Sequence, residues 1–277
     1  MEEKKYILNN LEKKMRYTLS DMKEYNRKTM LYKTGVEYGD YTVNHILGCS
    51  HGCTYPCYAY LMSHRFGKAK TIEDWEDYKV FDDVLEILKK ELDKKHSLIK
   101  TVQLCFSTDP FMYGKKEVSS LSIEVIKLIN SYGIPCYILT KGILPPELSK
   151  LSKFNYYGIT YVSDSDEFQK KYEPNAAPIR ERLNSLQYLS EQGCHTWVSM
   201  EPYPTPNITN QNISDLLNKI SFVDKIVFGR LNYNKMVSSY KDYKSYYNSL
   251  VKVVEAFCTS KRIEYHIKKG TYTEEKD

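Results

Sequence analysis

The chain has 277 residues, 42% of them hydrophobic, and its 40 basic and 35 acidic residues give a formal net charge of +5 at pH 7. This length and apolar content predict a globular protein with one large α/β domain or two small ones, and exclude a chain too polar to form a core. The charge is too small for the dense basic stripe that would by itself mark a nucleic-acid-binding protein.

The first ten residues, MEEKKYILNN, are charged, and no run of about 18 apolar residues occurs in the chain. We therefore expect neither an export signal nor a membrane span, and we expect a cytoplasmic location. Cytoplasmic thiols stay reduced, so clustered cysteines there bind metal or do redox chemistry more often than they form disulfides.

Short β-rich segments alternate with amphipathic helices along most of the chain. The predicted strands are 41–47, 101–107, 134–140, 156–163, 195–200 and 224–230, and helical spacing of apolar residues occurs at 81–95, 120–133 and 178–193. This alternation predicts parallel strands joined by right-handed crossovers, in an open doubly wound sheet or a barrel. We expect one domain over 41–235, with a charged extension over 1–40 and a C-terminal helix and strand over 236–277.

A polar cluster follows each of the six predicted strands. In chain order the clusters are GCSHGCTYPC, STDP, TKG, SDSDE, EPYPTP and RLNYNK. Because the carboxyl ends of parallel strands lie on one face of such a fold, we expect the clusters to converge on one site.

Three cysteines, Cys49, Cys53 and Cys57, lie within nine residues of the first cluster. Two glycines and a proline in the same stretch disfavour a helix, so we predict a loop whose thiols can converge on a metal. The thiolates could hold an iron–sulfur cluster, or could bind zinc together with His51. Zinc is less favoured because the chain has no further C-x2-C or H-x3-H pair, and packing of the cysteines in the core is a third alternative.

The motifs GCSHGCTYPCYAY, STDPF, ILTKG and YEPNAAPIRERL occur in this order between residues 44 and 206. They resemble the radical S-adenosylmethionine (SAM) enzymes, and more narrowly the branch similar to spore photoproduct lyase. The family's usual spacing is C-x3-C-x2-C, whereas this chain has C-x3-C-x3-C. A loop accommodates an extra residue more readily than a helix or strand does, and we expect Pro56 to direct it outward. The resemblance implies an incomplete (β/α)6 barrel of parallel strands.

The resemblance also implies an enzyme that uses a [4Fe-4S] cluster and SAM. In this family three thiolates, here those of Cys49, Cys53 and Cys57, bind three irons and leave the fourth for the amino and carboxylate groups of SAM. Reductive cleavage of SAM then gives a 5′-deoxyadenosyl radical that takes hydrogen from the substrate. The expected partner is an electron donor such as flavodoxin or ferredoxin, and nucleic acid is a candidate substrate. The Lys- and Tyr-rich segments 4–27 and 233–247 would contact phosphates and bases, or would be charged helical faces packed on the barrel.

Further strand-end residues are candidate ligands of SAM. By resemblance, Lys141 pairs with the methionyl carboxylate, and Thr160 lies where the family commonly has a ribose-binding serine. Glu173 and Arg182 match a Glu-Pro then Arg-Leu pattern, and this pair predicts an ion pair that fixes the loop over the cofactor. Three polar residues end the second predicted strand: Ser107, Thr108 and Asp109. Their side chains can bind the amino group and ribose of SAM, or alternatively can cap a helix or a turn.

Cys105 raises a separate question, because the lyase branch has a hydrogen-donating cysteine three residues before the aspartate at this position. Cys105 stands four residues before Asp109, and period-two alternation turns its side chain to the opposite face. We expect Cys105 to be a packed small hydrophobe, with Phe106 in the lyase's cysteine position, which argues against photoproduct repair as the activity. Glu201 would contact substrate or cofactor, or stabilise a turn, and the expected core cysteines are Cys136, Cys194 and Cys258.

Two other functions remain open from the sequence. The first is a zinc-stabilised nucleic-acid-binding protein without catalysis. The second is a cluster protein that binds SAM as a sensor or as the partner of another protein, without cleaving it.

Overall fold

A computed structural model of the chain describes residues 28–35, 39–55, 57–81, 83–231 and 234–273. Most of the predicted N-terminal extension lies outside these residues, as do segment 4–27, Pro56 and Tyr233. Within the described part of the chain, no helix is long and apolar enough to cross a membrane.

The strands are short, and most of them coincide with the predicted β-rich segments. They are β1 (Leu31–Lys33), β2 (Tyr41–Val43), β3 (Ile46–Leu47), β4 (Lys79–Val80), β5 (Val102–Leu104), β6 (Cys136–Thr140), β7 (Tyr156–Thr160), β8 (His195–Tyr203), β9 (Lys225–Arg230) and β10 (Glu264–Ile267).

The helices fill the connections between these strands. They are α1 (Tyr58–Arg65), α2 (Ile72–Glu76), α3 (Val84–Lys95), α4 (Lys116–Ser131), α5 (Asp166–Tyr172), α6 (Ile179–Glu191), α7 (Ile213–Lys219), α8 (Lys235–Ser238) and α9 (Tyr243–Lys261), with 3-10 turns at His96–Leu98 and Pro146–Lys150. The predicted helix stops are correct at Gly133 and Gly193, which take φ values of 74° and 76° two residues beyond α4 and α6.

Eight strands form one sheet in the order β1-β2-β5-β6-β7-β8-β9-β10, and β3 pairs with β4 outside it. β1 is antiparallel to β2, and every other neighbouring pair in the sheet is parallel. The α/β class and the parallel sheet of an incomplete barrel are therefore confirmed. β10 adds a seventh parallel strand beside β9, across the domain boundary placed at residue 235, and that division stays a prediction.

Two predicted strands end earlier than expected. The segment 41–47 divides into β2 and β3, and the side chain of Asn44 between them accepts hydrogen bonds from the backbone and hydroxyl of Ser107 at 3.0 and 2.9 Å. β5 stops at Leu104 because Cys105 adopts a left-handed conformation with φ of 53°, which a strand does not permit.

Aromatic side chains stack across the amino-terminal ends of three neighbouring strands, β6, β7 and β8. The rings of Tyr137 and Tyr156 stack at 4.3 Å, and Tyr156 stacks on His195 at 5.0 Å. In the next layer Trp197 occupies the space over Gly158, where an added Cβ would lie 2.4 Å from the indole. The open space inside the sheet is therefore at the carboxyl ends of the strands, where the polar clusters are.

Candidate active site

The carboxyl ends of the strands surround a cavity of about 790 Å³, within the usual range for ligand sites. Five of the six predicted clusters contribute to its lining. The lining residues include Cys49, Cys53, Cys57, Thr108, Asp109, Lys141, Glu201 and Arg230. The SDSDE cluster does not line the cavity, because it begins α5 and the hydroxyl of Ser165 accepts a hydrogen bond from the backbone N–H of Phe168 at 3.2 Å. Its strand contributes Thr160 instead.

The cysteine segment is a loop, as predicted. Its backbone turns at Gly48 and Gly52, which have φ values of 81° and 61°. Glycine is required most clearly at Gly48, where an added Cβ would lie 2.5 Å from the backbone carbonyl oxygen of Trp75, while at Gly52 the positive φ disfavours other residues.

The thiols of Cys49, Cys53 and Cys57 face one cavity but are not gathered around a point. Among the described residues, no three Cys, His, Asp or Glu side chains are close enough to hold a single metal ion. Zinc binds each sulfur at about 2.3 Å, which brings its ligands into mutual contact. The three thiols therefore line one cavity and do not form a preassembled single-ion site among the described residues.

His51 is fully buried beside the cysteines, and both of its ring nitrogens have protein neighbours. Nε2 accepts a hydrogen bond from the backbone N–H of Tyr113 at 2.9 Å, and Nδ1 lies 3.5 Å from Oδ2 of Asp109. Burial lowers the pKa of His51, an effect that the charge of Asp109 opposes only in part. His51 is therefore neutral. Because Nε2 accepts a hydrogen bond from Tyr113 and Nδ1 faces Asp109, neither ring nitrogen is available as a fourth ligand.

A buried carboxylate, Glu173, joins two cations next to the cysteine loop. Its Oε1 lies 2.8 Å from Nζ of Lys141, and its Oε2 lies 2.7 Å from Nη2 of Arg182. The carboxylate and the guanidinium are each only 2% exposed. Arg182 also donates to the carbonyl oxygens of Ala177 and Thr160, so the network ties the start of α6 to the end of β7. The predicted ion pair between Glu173 and Arg182 is present, whereas Arg180 is exposed.

The charges in this network shift one another's protonation. Burial alone would raise the pKa of Glu173, but Lys141 and Arg182 outweigh it and lower the pKa to about 2. Burial would lower the pKa of Lys141, but Cys53 and Glu173 raise it above its ordinary value. Nζ of Lys141 lies 3.8 Å from Sγ of Cys53, so a permanent positive charge stands next to one of the three thiols.

The residues of the Ser107–Asp109 segment form most of their hydrogen bonds with neighbouring residues of the protein. Asp109 accepts hydrogen bonds from the backbone N–H of Phe111 at 2.9 Å, from the hydroxyl of Thr140 at 2.6 Å and from the backbone N–H of Lys141 at 2.8 Å. The hydroxyl of Thr108 donates to the carbonyl of Gly48. The carboxylate of Asp109 thus joins the ends of β5 and β6 and holds the base of the cysteine loop.

A model of the radical SAM superfamily matches residues 43–220 of this sequence. The chain belongs to the radical SAM superfamily. Members of this superfamily are enzymes that use a [4Fe-4S] cluster and SAM, and the three thiols around one cavity are the donor set that such a cluster requires.

Curated relatives match part of the chain. An uncharacterized protein, ORF301, of Acidianus two-tailed virus is 25% identical over 195 residues, which is 67% of this chain and 64% of the viral protein. The uncharacterized protein Mb2609c of Mycobacterium bovis is 33% identical over 105 residues, 38% of this chain and 30% of that protein. The chain thus spans less than two thirds of the length of these relatives.

Solved structures with a similar fold include two with bound S-adenosylmethionine. A spore photoproduct lyase mutant with bound AdoMet and dinucleoside spore photoproduct has a TM-score of 0.62 at 13% identity, covering 90% of this chain and 81% of the lyase. Streptococcus suis SuiB bound to S-adenosylmethionine has a TM-score of 0.50 at 12% identity, covering 66% of this chain and 42% of SuiB. At these identities the likeness establishes the fold.

Cys105 is buried in the superfamily's barrel, as predicted, and packs with Ile46, Met112 and Val118. Sequence reasoning did not foresee that its thiol would lie 3.5 Å from Nδ1 of His45 or that it would reach the cavity wall. Cys136 and Cys258 are buried in the core, and Cys194 is half-buried.

Several cavity residues were missed by sequence reasoning. Ser199 alternates with Trp197 and Glu201 on β8, so strand period was the signal that could have found it. Gln103, Lys268 and the aromatic pair Tyr58 and Phe106 also line the cavity. The last two rings are 5.8 Å apart, and they are 56% and 37% exposed.

The extra residue of the cysteine motif is accommodated by burial of Tyr55. Its ring packs edge-on against Phe168 and Tyr172 with centroids 5.4 and 5.5 Å apart. The backbone N–H of Thr54 donates to the carbonyl of Tyr172 at 2.9 Å, so the end of α5 anchors this part of the loop. The expectation that Pro56 directs the loop outward concerns a residue outside the described ones.

Substitutions at Tyr55 test this anchoring. The buried hydroxyl of Tyr55 has no hydrogen-bond partner among the described residues, so Tyr55→Phe is expected to raise the free energy of unfolding by up to about 1 kcal/mol. Tyr55→Ala removes the ring and is expected to lower it by about 3 kcal/mol. Urea denaturation of both variants measures the difference, and equal destabilisation by the two would contradict the apolar role of the ring.

Proposed function

We propose that this chain is a radical SAM enzyme that cleaves SAM reductively to a 5′-deoxyadenosyl radical, which then takes hydrogen from its substrate. The observation that carries the proposal is the arrangement of Cys49, Cys53 and Cys57 around one cavity, with His51 engaged elsewhere. Three thiolates, with His51 hydrogen-bonded to other groups, leave one iron of a [4Fe-4S] cluster for SAM. The cluster, when bound, supplies the electron for the cleavage.

The residues of the chain prepare the site for this chemistry. Burial raises the pKa of Cys53 to about 12, with Lys141 opposing, and burial also raises the pKa of Cys49. Iron must therefore displace protons from these thiols, and the ammonium of Lys141 favours the thiolate of Cys53. Glu173 and Arg182 position Lys141, and we assign Lys141 the additional role of facing the methionyl carboxylate.

The walls of the cavity supply the remaining contacts to the cofactor. We assign Thr108 and Thr160 to the amino group and ribose of SAM. The third predicted residue, Ser107, does not line the cavity, because its hydroxyl donates to Oδ1 of Asn44. Asp109 serves as a positioning residue, because its carboxylate already accepts hydrogen bonds from three donors and holds the ends of β5 and β6 together.

The proposed partners are a one-electron donor of the flavodoxin or ferredoxin type and a nucleic-acid substrate. A lyase of this fold has been solved with a bound dinucleoside photoproduct. In this chain the exposed rings of Tyr58 and Phe106 at the cavity wall support the same class of substrate, because aromatic side chains stack on bases of any sequence. The flanking segment 4–27 lies outside the described residues and stays a predicted contact.

Anaerobic reconstitution tests the proposal. Protein loaded with iron and sulfide, reduced with dithionite and incubated with SAM is expected to produce 5′-deoxyadenosine and methionine, measured by liquid chromatography. Protein that binds iron, sulfide and SAM but produces neither product would be a SAM sensor, and the proposed activity would be wrong. Protein that binds one zinc and no sulfide would contradict the cluster itself.

A further inference from the structure

A second group of charged side chains lies in the same cavity, on the wall formed by the last three strands. Glu201 comes from β8, Arg230 ends β9, and Lys268 directly follows β10. In the order of the sheet these strands lie toward the opposite end from β2, which is followed by β3 and the cysteine loop. Of the Lys141–Glu173–Arg182 network only Lys141 lines the cavity, and it follows β6, so the two charged groups belong to different strands.

The backbone makes room for this second group. A Cβ on Gly229 would lie 2.9 Å from Cγ of Lys268 and 3.0 Å from Cγ of Glu201. The side chains of Lys268 and Glu201 therefore pack over Gly229, where a larger residue would displace them. The backbone N–H of Lys268 donates to the carbonyl of Phe228 at 2.8 Å, which continues the pairing beyond the end of β10 and fixes where the side chain begins.

The geometry of these charges differs from that of the buried network. Nζ of Lys268 is 3.9 Å from Oε2 of Glu201, whereas the two ion pairs of Glu173 measure 2.7 and 2.8 Å. The Lys268 side chain is 19% exposed and lines the cavity, which places it within reach of a ligand bound there. Arg230 also lines the cavity; its guanidinium lies 5.6 Å from the ring centroid of Tyr243, and its Nη1 donates to the hydroxyl of Thr273 at 3.4 Å.

We propose that Arg230 and Lys268 bind an anionic group of the substrate, a phosphate or a carboxylate. Guanidinium and ammonium groups are the usual protein ligands of both anions, and a partly enclosed cavity strengthens their attraction. The inference rests on the proposed function, because it assigns the cysteine side of the cavity to SAM and leaves the wall of β8, β9 and β10 to the substrate.

Binding of small anions to the reconstituted, SAM-bound protein tests the proposal. Inorganic phosphate, followed by phosphorus NMR line broadening, is expected to bind saturably. Arg230→Met and Lys268→Met are each expected to weaken its binding by about tenfold or more, the loss of one charge-assisted hydrogen bond. The matched control is Lys127→Met on the exposed face of α4, which is expected to leave phosphate binding unchanged.

The variant Glu201→Gln separates a binding role from a folding role. Removal of its negative charge is expected to tighten phosphate binding severalfold, an outcome that a misfolded variant cannot give. Titration with acetate in place of phosphate, followed by proton NMR, compares a carboxylate with a phosphate. The anion that binds more tightly indicates which of the two groups the substrate carries.

Three results would overturn the proposal: no saturable binding of either anion to the wild type, equal affinities in the wild type and the two methionine variants, or a parallel loss of SAM affinity, which would assign the residues to the cofactor. The readout does not depend on turnover. Saturable phosphate binding through Arg230 and Lys268 without 5′-deoxyadenosine would refute the proposed activity alone, and 5′-deoxyadenosine without anion binding would refute this inference alone.

Discussion

Replacement of Glu173 by glutamine is expected to lower the free energy of unfolding by about 3 kcal/mol, because it leaves two buried cations without their carboxylate. Arg182 is 2% exposed and Lys141 is largely buried, so water cannot replace the lost charge. Urea denaturation of the purified variant measures the change. The loss should be accompanied by weaker SAM binding, since Lys141 no longer has a fixed position beside Cys53.

The pH dependence of the same variant gives a second measurement. The pKa of Glu173 is about 2 in the folded protein, below the ordinary value of 4.5, so its stabilisation is complete above pH 4.5 and is lost as the pH falls toward 2. Glu173→Gln should lack this part of the acid-induced loss. The control is Glu86→Gln on α3, which removes an exposed i,i+4 pair with Lys90 and is expected to have no measurable effect. A Glu173 variant as stable as the Glu86 variant would contradict the role of the network.

Replacement of Cys53 by alanine is expected to reduce 5′-deoxyadenosine formation by at least about 100-fold. Loss of partners that only support metal ligands costs about 10- to 100-fold in metal affinity or activity, and loss of a ligand costs more. Iron and sulfide content after anaerobic reconstitution, measured beside the product, shows whether the cluster itself is lost.

A matched cysteine outside the loop serves as the control. Cys194→Ala changes a half-buried thiol that follows Gly193, and it is expected to keep wild-type iron content and product formation. Wild-type iron content in the Cys53 variant would mean that another residue supplies one of the three cluster ligands. The assignment of Cys53 as a cluster ligand would then be wrong.

Local sequence signals predicted most of the fold because they describe local physics. Helix ends at Gly133 and Gly193 follow from the freedom of glycine to adopt positive φ, and the loop at the cysteines follows from glycine and proline in the same stretch. Six of the seven parallel strands were predicted from their β-rich composition. The division of segment 41–47 into two strands was not predicted, because it depends on a contact between Asn44 and Ser107, which are 63 residues apart in the sequence.

The composition of a polar cluster does not reveal what the cluster does. The clusters SDSDE and STDP have similar amino-acid compositions. Ser165 of the first caps α5, however, whereas Asp109 of the second joins two strand ends. The ion pair of Glu173 with Arg182 was predictable from a nine-residue spacing and a family pattern. The grouping of Glu201, Arg230 and Lys268 was not, because three separate strands bring these residues together.

The stacked rings of Tyr137, Tyr156 and His195, with Trp197 in the next layer, lie at the end of the described sheet opposite the cavity. A ligand therefore reaches the cavity from the carboxyl ends of the strands. Under the proposed function, a bulky substrate bound there would cover the cofactor beneath it, so we expect ordered binding in which SAM precedes the substrate.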